Sequence, residues 1–534
     1  MVTTDHQDCA VISPTGAPPG LLEEFWRYDR ALLADDRATL DELFLPGPHT
    51  PREDSRALLA GHEAIAGAGA ARDRVHRVVE LHIRPLGTDT AVLMAHTRDG
   101  DAHGVRTQVW QRGAAGRWLI AAAQVTVPTS PSPATAPAAT VPFDRTVWRA
   151  VGDPLMAARS SGPLHGLGIA VKDMFAVAGQ PIGAGVPAWL AEQRPQTETA
   201  PALAELLHAG AHVVGIARTD EFAYSMTGAN THYGTPPNPA APDRISGGST
   251  SGPASAVALA QAAVGLGTDT AGSIRIPASY QGLVGLRSTH DMIDREGVLP
   301  LARSFDAVGW VTRDVATSLA IARVLLGAPD GAGAPTDRTL RLPTVESMAA
   351  PEVVEAFSAT VGRAAAAGLL PPVHIVDLPH EQLERWSTAF RTVQGWEAWQ
   401  AHGSWLSTHP DALGPEVADR FAQASRVTED EAAQALAVAA EAAGRLTEWL
   451  SGAVLAIPTA PGPAPSRTAP AQQIEAVRAA TFRMTCLAGL AGAPAVSLPL
   501  LRSADGLPVG LCLLGAPGSD LDLLTLATAL EPTA

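Results

Sequence analysis

Residues 246–287 read SGGSTSGPASAVALAQAAVGLGTDTAGSIRIPASYQGLVGLR. The first seven form a loop of glycine and hydroxyl residues, where glycine opens backbone conformations closed to other side chains. The small residues that follow suit a helix starting at Pro253, where a missing N–H does no harm. VGLGTDTAGSIRIP and GLVGLR come next. Working outward, GLGIAV (166–171) reads as a strand running into Lys172, and TAPALAELLHAG (199–210) as a helix closed by Gly210 before the strand HVVGIA (212–217). Helices dominate roughly residues 350 to 450, and VLAIPT (454–459) and PAVSLPL (494–500) read as further strands. Strand-like and helical segments in alternation predict an α/β fold with helices on both sides of a sheet.

The chain's 534 residues leave room for more than one domain. Residues 128–142, PTSPSPATAPAATVP, lack charge and periodicity and have the composition of an extended linker. The expected division is therefore 19–127, a linker over 128–142, and 143–534. The first part opens with helical patterns through Leu21, Phe25, Tyr28 and Leu32, then Leu40, Leu43 and Phe44. Four strand-like runs follow, near 75–83, 90–97, 104–112 and 117–127, which predicts a small α+β domain whose curved sheet wraps the helices.

Hydrophobic residues make up 46% of the chain and charged residues 17%, a globular composition. A net charge of −16 repels phosphate backbones and anionic lipid surfaces, so neither nucleic acid nor membrane is expected as a partner. Three scattered cysteines, Cys9, Cys486 and Cys512, make neither a disulfide framework nor a C-x-x-C pair. With no secretory pattern in MVTTDHQDCAVISPTG, the expected location is cytoplasmic. The uncharged run between Arg483 and Arg502 is broken by Gly492, Pro494 and Pro499 and predicts a buried helix followed by a strand.

The chain holds one lysine, Lys172, among 38 basic residues. Lysine differs from arginine chiefly in that it can lose its proton when desolvated, which makes Lys172 a candidate base or nucleophile.

Together, LHGLGIAVKD around Lys172, the Gly-Gly-Ser loop and GTDTAGSIRIP resemble the amidase signature family. The resemblance extends over nearly all of residues 145–534, including AIPTAPGPAP (456–465), GLAGAPAVSLPL (489–500) and GLPVGLCLLG (506–515). It implies a mixed central sheet flanked by helices, Ser273 as nucleophile, Ser249 as a bridging serine after a cis peptide at Gly248, and Lys172 as base. It also implies an oxyanion site formed by the backbone N–H groups of Thr270, Ala271, Gly272 and Ser273, and an acyl pocket to which Tyr224, Met226 and Gly248 contribute. Elementary chemistry agrees with the division of labour. A serine hydroxyl needs a nearby base, a buried lysine can be one, and a second hydroxyl can accept one proton while donating another. The departures from the family pattern are Ala271, in place of a usual glycine, and Thr250, Ser251 and Pro253 in the serine loop.

Other readings of the same residues fare worse. A phosphate-binding loop needs Gly-Lys-[Ser/Thr], and the single lysine stands between Val171 and Asp173. A Schiff base on Lys172 leaves the paired serines unexplained. No serine lies three residues before Lys172, so the S-x-x-K dyad is absent. His208 and His212 have a metal-like spacing, but Gly210 between them ends the helix, so no metal or other cofactor is expected. Asp269 reads as an acceptor that orders its loop, and Trp396, Trp399 and Trp405 as helical core. Their segment also resembles the equivalent one in amidases acting on aryl-acetamides.

The N-terminal part resembles, more weakly, SnoaL-like or nuclear-transport-factor-like cones, in particular the version beside amidases of cyanuric acid breakdown. A polar pocket pattern is hard to find in residues 50–72, so a non-catalytic cone that packs against or dimerises the amidase is expected. The function expected of the whole is hydrolysis of a small carboxamide to carboxylate and ammonia. Alternatives are a carboxylated biuret or urea substrate, a decayed binding or scaffold protein, and the amidase subunit of a tRNA-dependent amidotransferase.

Overall fold

The computed structural model describes residues 10–13, 16–34, 36–46, 51–53, 58–60, 77–99, 102–113, 115–125, 143–327 and 336–531. Cys9, the linker expected over 128–142 and most of 54–76 lie outside them. The chain divides into two compact units, residues 1–139 and 140–534.

In the first unit the helices Leu21–Leu33 and Arg37–Leu43 accompany a seven-stranded sheet. Its strands are β1 (Ala10–Ile12), β2 (Pro51–Glu53), β3 (Leu58–Ala60), β4 (Arg77–Pro85), β5 (Thr90–Asp99), β6 (Ala102–Arg112) and β7 (Trp118–Val125), in the order β1-β4-β5-β6-β7-β2-β3. β4 to β7 are the four strands expected from the sequence, and they form an antiparallel meander. The three short strands at its edges carry too little pattern to be read in advance. Leu21, Phe25 and Tyr28 repeat at helical spacing and bury against Leu81, Leu93, Trp110 and Ile120 from alternating positions of the sheet. An ion pair, Arg106 to Asp29 at 3.0 Å, is buried in the same interior.

The second unit is built on an eleven-stranded mixed sheet. Its strands are β8 (Trp148–Met156), β9 (Gly168–Lys172), β10 (His212–Ala217), β11 (Val264–Asp269), β12 (Val284–Arg287), β13 (Ala307–Thr312), β14 (Arg338–Arg341), β15 (Val373–Ile375), β16 (Ala453–Pro458), β17 (Ala495–Arg502) and β18 (Pro508–Leu514). They lie in the order β15-β14-β16-β18-β17-β12-β13-β11-β9-β10-β8. β9 runs parallel to both β10 and β11, whereas β13 is antiparallel to β11 and β12. Every residue of β9, β11, β16 and β18 is buried, which accounts for the unbroken apolar runs of β16 and β18, while β9 and β11 bury Lys172, Thr268 and Asp269 at their ends.

The helix after the serine loop spans Ser251–Ala258 and so begins two residues before Pro253. Proline is tolerated there because the N–H groups of a first helical turn have no intrahelical acceptor. The uncharged run before Arg502 forms the end of helix Ala471–Leu490 and then β17, as expected. Among the described residues no helix is long and apolar enough to cross a membrane.

Candidate active site

Lys172 is the last residue of β9 and is completely buried. The parallel pairing of β9 with β11 sets Leu266 opposite Val171 and brings Thr268 beside the lysine. Lys172 Nζ donates to Thr268 Oγ1 at 2.9 Å and to Ser249 Oγ at 2.9 Å, with the Thr268 carbonyl at 3.5 Å. All three partners are neutral. Burial pulls the ammonium down to about 7, although the carboxylates of Asp220, Asp306 and Asp269 act in the opposite sense.

Ser249 is held from the far side of the loop. Its carbonyl accepts from Thr219 Oγ1 at 2.9 Å, and the peptide joining it to Gly248 is cis. Gly248 is a packing requirement here. A Cβ at that position would stand 2.4 Å from Asp220 Oδ2 and 2.7 Å from Gly228 N. Asp220 itself accepts from Gly228 N at 3.0 Å and Ser251 Oγ at 3.1 Å, so it ties the loop to the segment behind it. Burial pushes the Asp220 carboxyl up.

Ser273 follows β11 in the turn Thr270–Ala271–Gly272, which hangs on Asp269. That carboxylate accepts from Gly272 N at 3.0 Å and Ile274 N at 3.1 Å, and from Arg275 Nε and Nη2 at 3.1 and 2.9 Å. Burial opposes its charge, but the guanidiniums of Arg275 and Arg287 outweigh that and hold the carboxyl well below its ordinary range. Gly272 has φ of 121°, a conformation that disfavours any side chain. Because the Gly272 N–H already serves Asp269, it differs from the expectation that it faces an oxyanion. The N–H groups of Thr270, Ala271 and Ser273 donate to no other described residue. Thr270 instead commits its hydroxyl to the buried Asp306 Oδ1 at 2.6 Å.

The Ser273 side chain lines a cleft together with Tyr224, Met226 and Ala271. Its carbonyl accepts from Thr250 N at 3.2 Å, joining the turn to the serine loop. Its hydroxyl makes no hydrogen bond with another described residue. Ser225, Leu301, Gln394 and Phe482 add to the walls, as do Arg420 and Arg478. Gly248, expected in the pocket, is not among the lining residues.

Trp396, Trp399 and Trp405 also stay out of the lining. Trp399 and Trp405 pack against the hydrophobic core, and Trp405 Nε1 donates to Glu192 Oε2 at 2.7 Å. His208 ends helix Pro201–His208 with Nδ1 2.8 Å from Ala204 O, while His212 opens β10. Among the described residues no group of three or more His, Cys, Asp or Glu side chains is placed to hold a metal ion.

Thr268, Asp220, Asp306, Gln394, Arg420, Arg478 and Phe482 were not singled out from the sequence. Thr268 had a signal, since side chains alternate along a strand and β11 runs directly into the serine turn. The others come from segments whose approach to the site depends on tertiary packing.

Two family models match the chain. Residues 138–524 match Amidase, and residues 20–130 match AtzH-like. Over 397 residues the chain is 36% identical to Amidase 1 of Oryza sativa subsp. japonica, covering 70% of this chain and 91% of that protein. It is 33% identical over 408 residues to 2-amino-5-chloromuconic acid deaminase of Comamonas testosteroni, covering 72% and 86%. Among solved structures it resembles one from a vestigial protein complex bearing on the origins of an s-triazine catabolic enzyme. That similarity has a TM-score of 0.63 and 27% identity, and covers 70% of this chain and 85% of the other. The match to most of the second unit and the identity to full-length amidases place the chain among hydrolases of amide C–N bonds that act on small molecules. The chain belongs to the amidase signature family and carries an AtzH-like N-terminal domain.

Proposed function

We propose that this enzyme cleaves a small carboxamide, of the aryl-acetamide type or a related one, to carboxylate and ammonia through an acyl-enzyme on Ser273. Neutral Lys172 takes a proton from Ser249 Oγ as Ser249 takes one from Ser273 Oγ, and the freed oxygen attacks the amide carbon. The free backbone N–H groups of the turn receive the developing oxyanion. As the C–N bond breaks, the proton returns through Ser249 to the leaving nitrogen. Water then enters, gives a proton to the same relay and releases the acid, restoring Ser273.

The observation that carries this reading is the environment of Lys172. An ammonium that is fully buried against two hydroxyls, with no anion among the described residues as a direct partner, is poised to be a neutral amine near pH 7. The test is Ser273→Ala. It is expected to lower kcat about 10^3-fold or more while leaving the circular dichroism spectrum intact. An organophosphonate probe should label wild-type Ser273 and leave the variant unlabelled. Near wild-type turnover by a folded Ser273→Ala enzyme refutes the assignment.

A further inference from the structure

Among the described residues, two guanidiniums and no carboxylate line the cleft that contains Ser273. This is unexpected in a chain of net charge −16. Arg420 comes from helix Pro415–Ala424 and Arg478 from helix Ala471–Leu490, so two separate elements deliver the same charge to one place. The Arg420 side chain is 13% exposed, and its Nη1 is fixed by the Tyr224 carbonyl at 2.8 Å. Its carboxylate partner Glu416, 3.3 Å from Nη2, is 55% exposed and does not line the cleft. Arg478 holds Glu475 through Nε at 2.7 Å and through Nη2, which leaves Nη1 without an acceptor among the described residues. Glu475 also lies outside the lining and is 53% exposed. Burial and the nearby charge of Arg478 work against the charge on Arg420 and outweigh the support it draws from the Glu416 and Glu475 carboxylates, so an anion in the cleft would relieve a cost that remains.

We propose that Arg420 and Arg478 bind a carboxylate carried by the substrate, so that the amide cleaved belongs to a small dicarboxylic acid or another carboxylate-bearing amide. The planar donors of arginine match a carboxylate geometrically, and a half-buried setting strengthens the bonds. The inference rests on the reading of Ser273 as nucleophile and narrows its substrate class. Arg420 and Arg478 select and orient, and neither takes part in proton transfer.

The experiment compares matched amides on the full chain: butanamide against succinamate, and phenylacetamide against 4-carboxyphenylacetamide. In at least one pair the carboxylate-bearing member is expected to have a kcat/KM at least tenfold higher, mainly through KM. The ratio should shrink as ionic strength rises. Arg420→Gln and Arg478→Gln should each reduce it about tenfold. Arg478 is the more exposed, so Arg478→Gln decides the matter should Arg420→Gln fold poorly. Equal or lower kcat/KM for the carboxylate-bearing members of both pairs, or an undiminished preference in folded Arg478→Gln, overturns the proposal. If neutral amides are cleaved by the wild type and not by Ser273→Ala, with no carboxylate preference, this inference alone fails. Activity persisting in Ser273→Ala removes the nucleophile and the inference with it.

Discussion

Lys172 Nζ lies 2.9 Å from Ser249 Oγ, although 77 positions separate the two residues in the chain. The contact follows from β9 and β10 lying side by side. β10 leads into Thr219 and Asp220, and these grip the serine loop from behind, Thr219 by the Ser249 carbonyl and Asp220 by Ser251 Oγ. The loop is thereby laid across the end of the strand that carries the lysine. A proton path from the cleft to a buried amine needs this juxtaposition.

The first prediction concerns the pH dependence of that amine. A base must be unprotonated, so log kcat/KM should rise with unit slope below an apparent pKa near 7 and level off above it. Arginine keeps the charge but cannot release its proton at such pH, so Lys172→Arg and Lys172→Ala should both lose about 100-fold or more. A folded Lys172→Arg enzyme retaining a tenth of the wild-type kcat/KM leaves Ser273 in need of another activator.

Gly248→Ala tests the packing of the serine loop. Its new methyl would meet the Asp220 carboxylate and the Gly228 N–H closer than contact distance, so the backbone must shift and carry Ser249 with it. A loss of 10-fold or more in kcat, with a smaller change in KM, is expected from misplacement of the relay. Steady-state kinetics on the folded variant decide it, and unchanged kcat shows that the loop tolerates the shift.

Asp269→Asn should damage the fold as well as the turn. Removing this charge leaves Arg275 and Arg287, both completely buried, without their shared carboxylate. Breaking a buried pair in this way costs about 3–5 kcal/mol, to be read from urea unfolding. Since the carboxyl is held below its ordinary value, the stability it contributes is complete above the unfolded pKa of 3.8 and is lost only as pH falls through the lower folded value. The wild type and Asp269→Asn should therefore differ by a constant amount across neutral pH. A difference under about 1 kcal/mol contradicts the role given to the pair.

A polypeptide beginning at residue 143 should fold and hydrolyse amides, because every residue assigned to the chemistry lies beyond that point. If the N-terminal domain serves assembly or access, size-exclusion chromatography of the two forms should reveal a change of oligomeric state. A shortened chain that is folded but inert moves part of the site into the first domain.

Local sequence determined much of this protein. Strands buried on both faces write themselves as near-continuous apolar runs, so GLGIAV leading into Lys172 and VLAIPT were legible. A single lysine among 38 basic residues pointed to position 172 before any fold was known. The short edge strands of the first domain were illegible because three residues carry no period, and Pro253 misplaced a helix start that its first turn accommodates equally well.

Tertiary structure alone decided what those residues meet. The lysine's lowered affinity for its proton depends on complete burial beside Thr268 and Ser249, which no stretch of chain contains. The Gly272 N–H looked free in sequence and is spent on Asp269 in space. Arg420 and Arg478 are 58 positions apart on separate helices, each indistinguishable in sequence from a solvated surface arginine. Hydrophobic period and turn chemistry are short-range and survive in the linear chain, whereas desolvation and the field of charged groups are sums over neighbours in space, and only the folded packing assembles them.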